Sequence, residues 1–160
     1  MLITKNDNEK STIKFNNLVD LLERNCIEGN TGITHINGEN DEVFVSYQDL
    51  FQKAGIILFN LQNFGIQPKD ELVLQIDDNE RFLYVFWACL MGGIIPVPLS
   101  VGNNDEHKLK LFKIWSKLNN PYLVTDEKYL NSLEKIETIN NENISIEEIK
   151  QKTIYLIPLC

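Results

Sequence analysis

The chain has 160 residues, 43% of them hydrophobic, and a formal net charge of −8. That length and apolar share suit one domain with a real core. An acidic chain with no basic cluster excludes nucleic acid and an anionic membrane surface as partners, since both are met with Lys and Arg.

No apolar run reaches the roughly 20 residues that span a bilayer. The start, MLITKNDNEKS, has no apolar signal region, so the expected location is cytoplasmic. The three cysteines, Cys26, Cys89 and Cys160, are odd in number and widely spaced, which suits reduced thiols. Cys89 lies between Ala88 and Leu90 in a helical run and reads as inert packing, not as a nucleophile.

Residues 1–12 are polar and read as a flexible N-terminus; residues 13–160 read as one α/β segment. Phe15, Leu18, Val19, Leu22 and Cys26 form a helical stripe, with Gly29 past its end. GITHI and EVFVS flank Asn37-Gly38, which predicts an antiparallel hairpin. Ser46 to Asp49 resembles a capping box with an acid at its fourth place. The helix it opens carries Tyr47, Leu50, Phe51, Ala54, Leu58 and Leu61 on one face, and Gly65 with Pro68 stops it.

The centre of the chain is residues 71–100. ELVLQI reads as a strand, ERFLYVFWACLM as a helix too apolar for a wet face, and IIPVPL as a second strand after the stop at Gly92-Gly93. Two strands joined by a helix predict a parallel βαβ unit. A polar loop follows, then a helix capped by Asn104 or Asp105, with Leu111, Ile114, Trp115 and Leu118 inward and Lys110, Lys113 and Lys117 on another face. YLVT predicts a strand, Asp126 a cap, residues 128–135 a helix, Ser145 a second capping box, and TIYLIPLC a last strand. The fold class is therefore α/β: a mostly parallel sheet with helices on both faces and an N-terminal hairpin.

The chemistry is harder to find. Neither GxGxxG nor GxxxxGK[ST] occurs. The crevice at the carboxyl end of strand 72–76 is where an open α/β sheet places a ligand, but its turn is Asp77-Asp78-Asn79-Glu80. Acids there complement a helix dipole and repel phosphate, so capping is favoured over anion binding. Asp77, Asp78 and Glu80 as a Mg²⁺ cluster is the weaker reading, because acidic first turns are common. His35 and His107 have no partner at metal-ligand spacing, and no serine stands out as a nucleophile. Trp87 and Trp115 read as core. No catalytic, cofactor-binding or metal-binding residue is assigned.

Three motifs nevertheless stand in a recognisable order. FVSYQDL, residues 44–50, resembles the first core motif of adenylation domains, with Val45 for its leucine and Asp49 for its glutamate. Residues 65–72 resemble the Gly-Val-x-x-Gly-Asp-x-Val turn, with Lys69 in place of the second glycine. LMGGIIPVPL, residues 90–99, resembles the second core motif; Met91 and Gly92 depart from it, while Gly93, Pro98 and Leu99 match. Together they resemble the adenylate-forming (AMP-binding) superfamily over about residues 15–129. The run Gln75 to Asn79, with Phe86-Trp87-Ala88-Cys89, is similar to the fatty-acyl-AMP ligase and loading-domain branch that opens polyketide or non-ribosomal peptide assembly lines.

The resemblance implies a ligase that uses ATP and Mg²⁺ to make an acyl-adenylate and passes the acyl group to a phosphopantetheine thiol, on a carrier protein or coenzyme A. The family's phosphate loop, its nucleotide motif and its catalytic lysine have no match here. The expectation is that these residues belong to the N-terminal segment of the first subdomain, truncated before the phosphate loop. Alone they are expected to fold without catalysing, and to self-associate through sheet partners left unpaired. The alternative is a non-catalytic binding or scaffold module of the same fold.

Overall fold

The computed structural model describes residues 15–27, 30–36, 38–39, 41–102, 104–133 and 144–155. Expectations for residues 1–12, Gly29, Asn37, residues 134–143 and residues 156–160 lie outside them.

The elements run α1 (Leu18–Ile27), β1 (Gly32–Ile36), β2 (Glu42–Ser46), α2 (Tyr47–Phe64), β3 (Glu71–Leu74), α3 (Asn79–Gly92), β4 (Ile95–Pro98), α4 (Asp105–Trp115), β5 (Pro121–Thr125), α5 (Glu127–Leu133), α6 (Ile146–Gln151) and β6 (Thr153–Tyr155). β1 and β2 form the antiparallel hairpin. The other four strands make a parallel sheet in the order β4-β3-β5-β6.

Side chains alternate across that sheet and feed two cores. Leu72 and Leu74 of β3 and Val124 of β5 pack with α1, α2, α3 and Val45 of the hairpin. Val73 and Leu123 point the other way and pack with α4, α5 and α6. The crossover helices α3 and α4 thus lie on opposite faces, as a doubly wound sheet requires.

Local signals set the ends of the elements. Ser46 caps α2 by accepting from the Asp49 amide at 3.0 Å, and its hydroxyl donates back to Asp49 Oδ2 at 2.6 Å. Gly65 and Gly93 close α2 and α3 at φ 108° and 64°, in the left-handed region. Lys69 is left-handed too, at φ 79°, and its amide donates to the Gly93 carbonyl at 2.8 Å. At the amino end of the sheet Glu71 Oε2 accepts from the Asn119 and Asn120 amides at 2.7 and 3.4 Å. Lys152 Nζ donates to Asn120 Oδ1 at 3.0 Å, tying β3, β5 and the start of β6 together.

Two expectations need correction, and the strand order adds a third finding. Phe15 precedes α1 and, like Leu18, is exposed; Leu22 alone of that helix is fully buried, with Cys26 packed partly buried against the same core. α3 is not buried all round: Tyr84, Val85, Ala88 and Cys89 are inward, while Phe82, Phe86 and Trp87 lie half-covered at the rim. The second strand of the βαβ unit is an edge, with Ile95 48% exposed, and β3 holds the interior place. On β4 the Ile95 and Leu99 amides donate to Asp70 and Leu74 carbonyls. By alternation Pro96 and Pro98 face outward, where neither has an N–H to offer.

Candidate functional site

The carboxyl ends of β3, β4 and β5 converge on Gln75. Its amide continues the ladder by donating to the Val124 carbonyl at 3.0 Å. Its side chain, 1% exposed, points to the α4–α5 face. There Nε2 donates to Tyr129 Oη at 2.6 Å and reaches the Ser100 carbonyl at 3.4 Å. Thr125 is its buried neighbour at the end of β5. Burial pushes the Tyr129 hydroxyl up to about 12, against a smaller opposing pull from Gln75. This is a clamp that fixes three strand ends. Gln75 also shows what strand periodicity cannot: its partner Tyr129 is fifty-four positions away.

The acids beside it diverge. Asp78 caps α3, accepting from the Arg81 amide at 3.0 Å, with the Arg81 guanidinium 3.6 Å away. Glu80 accepts from the Tyr84 hydroxyl, and Lys53 lies 3.6 Å from it. Lys53 also donates to Tyr84 Oη at 3.0 Å, a contact that raises the Lys53 ammonium above its usual value. Burial, then the Glu80 contact, raises the Tyr84 hydroxyl. Asp77 is exposed. Among the described residues no group of three His, Cys, Asp or Glu could hold a metal ion. The capping reading therefore accounts for this turn.

The other candidates lie apart from one another, and among the described residues the buried His107 Nδ1 has no hydrogen-bond partner. His35 is buried on β1, while His107 opens α4 with its amide on Asn104 Oδ1 at 2.9 Å. Cys26 donates to the Leu22 and Tyr47 carbonyls at 3.1 and 3.3 Å, and its thiol is raised, first by burial. Burial pushes the Cys89 thiol up to about 12, so it stays a thiol at neutral pH. Trp115 is buried and donates to Glu148 Oε1 at 3.2 Å; Trp87 is half-buried against the first core. An open hollow of about 690 Å³ lies between α1 and the end of α3, lined by Asn17, Leu18, Asp20, Leu90, Met91 and Gly93. It sits at the amino end of β4, away from the crevice. Asp20 there already accepts from the Asn16 amide at 3.0 Å.

The donor set at the crevice does not fit a nucleotide triphosphate. Asp78 caps α3 after β3 and Asp126 holds the Tyr129 amide after β5, so carboxylates follow both strand ends, and Arg81 is engaged by Asp78.

The fold nonetheless has close likenesses. It superimposes on McyG A-PCP, solved with phenylalanyl-adenylate, with a TM-score of 0.75 and 34% identity, over 91% of this chain and 23% of that one. The chain is folded and patterned like part of an adenylate-forming enzyme. The fatty acid AMP ligase of Legionella pneumophila shares the fold at a TM-score of 0.64 and 21% identity, over 84% of this chain and 24% of that one. A 4-hydroxybenzoate–CoA/benzoate–CoA ligase of Rhodopseudomonas palustris is 29% identical over 87 residues, which is 54% of this chain and 16% of the ligase. No protein-family profile matches the chain. It thus spans about a quarter or less of the adenylate-forming relatives it matches. Among the described residues no helix is long and apolar enough to cross a membrane.

Proposed function

We propose that residues 13–160 are the N-terminal scaffold of an ATP-dependent, AMP-forming acid–thiol ligase in the cytoplasm. The whole enzyme activates a carboxylic acid as its adenylate and passes it to a phosphopantetheine thiol, on a carrier protein or coenzyme A. Its setting is a non-ribosomal peptide or polyketide assembly line for secondary metabolites. Likeness to McyG A-PCP over 91% of the chain carries this reading. ATP and Mg²⁺ are held by polypeptide beyond this segment, and no catalytic step runs through these residues. Their partner is the remainder of the adenylation domain. Self-association of the separate segment belongs to the same proposal.

Pyrophosphate exchange into ATP tests it. The purified 160 residues stay at background with any carboxylic acid. The longer product of the same reading frame exchanges with at least one acid of a panel. Exchange by the short chain alone, or none by the longer product, refutes the reading. A frame that stops at residue 160 assigns the chain to the scaffold-module alternative.

A further inference from the structure

One surface of this acidic chain joins exposed apolar side chains to a long uncharged run. α2 gives Leu50, Ala54, Ile57 and Leu61 to the core. Its opposite side presents Gln52, Ile56, Phe59, Asn60 and Asn63 at three- and four-residue steps. Ile56 is 53% exposed and Phe59 63%, and they are neighbours on one stripe. The only charges on α2 are Asp49 and Lys53, in its first two turns; Asp49 is engaged by Ser46 and Lys53 by Tyr84 and Glu80. Every residue from 54 to 64 is uncharged, in a chain of net charge −8.

We infer that this stripe is a self-association surface, on which a second copy of the chain lays its own α2 across a two-fold axis. Charge depletion around an exposed aromatic is the composition of an interface centre. A two-fold axis sets a patch against itself, so an acidic face would meet acid with acid. On the α2 stripe two such molecules can touch without that repulsion. Its rim is self-complementary, because each Gln and Asn amide both donates and accepts and can bond its own copy. A charged partner finds nothing here to steer it. One helix of 18 residues is about 27 Å long, so the contact is small and its occupancy depends on concentration. The inference gives the self-association proposed above its surface; it does not depend on the ligase activity, which pyrophosphate exchange tests separately.

Sedimentation equilibrium of the 160-residue chain tests it. The weight-average mass rises from one chain toward two as concentration increases through the micromolar range. Phe59→Glu holds it at one chain without changing the urea midpoint. Asn63→Lys, which touches no core residue, keeps the test open should Phe59→Glu fail to fold: it weakens pairing at least tenfold, and added salt restores part of the loss. A chain that stays single at every concentration overturns the inference. So does pairing that survives both changes but is lost in Tyr155→Pro, a result that would put the contact on the β6 edge.

Discussion

Replacing Lys69 with glycine should make the protein more stable. Lys69 sits at φ 79°, where a side chain crowds the backbone and costs about 1–2 kcal/mol. Glycine removes that cost but loses about 0.5–1 kcal/mol more chain entropy on folding, leaving a net gain of about 0.5–1 kcal/mol. No side-chain contact is sacrificed: Lys69 is exposed, and its bond to the Gly93 carbonyl comes from the backbone. Urea unfolding followed by fluorescence of Trp87 and Trp115 reads the change, and the melting temperature should rise by about 1–4 °C. Lys69→Ala keeps the crowding atom and should leave stability unchanged. Gly93→Ala, at φ 64°, should lose about 1–2 kcal/mol by the same mechanism in reverse. If Lys69→Gly destabilises, or if Lys69→Ala gains as much, backbone crowding is not the operative term.

Alkaline titration gives a second expectation. Cys89 and Tyr129 are both raised to about 12 in the fold, from ordinary values of 9.0 and 10.0. Their contribution is whole below the unfolded values and is lost as pH climbs through 9.0 and 10.0 toward about 12. Between about pH 8 and about pH 10.5 the wild type should lose roughly 3 kcal/mol more than a Cys89→Ala, Tyr129→Phe double variant; equal losses would contradict the burial assigned to them. Cys89 should also resist a thiol reagent until the protein unfolds, with mass spectrometry locating the label. Leu123→Ala, at a fully buried position in the second core, should cost about 2–5 kcal/mol by urea titration. Asp126→Ala removes the oxygen that holds the Tyr129 amide at 2.7 Å and should cost about 1 kcal/mol.

What could be read from residues alone was local. The caps at Ser46, Asp126 and Ser145 and the stops at Gly65 and Gly93 depend on a few neighbouring residues, and they stand where the pattern put them. The parallel sheet with helices on both faces followed from strands alternating with helices. Even the odd residue in the resemblance, Lys69 for glycine, marks a real left-handed turn. Strand order was not legible, because it depends on which distant faces meet. The two prolines of IIPVPL suit an edge strand, but which strand lies beside it is set by β5 crossing to the far side of β3. The extent of α3 burial also depends on neighbours, since α1 and α2 cover only one side of it. The clamp at Gln75 escaped notice because one glutamine in an apolar strand names no partner.

The two prolines of β4 give the sheet a direction. A strand laid beyond β4 would meet carbonyls but no donors at Pro96 and Pro98, whereas on β6 the outward backbone groups of Thr153 and Tyr155 offer both. Pairing through the edges of the four-stranded sheet alone therefore behaves like a polymerisation with one live end: two molecules joined β6 to β6 would present only the blunted β4 edges of that sheet.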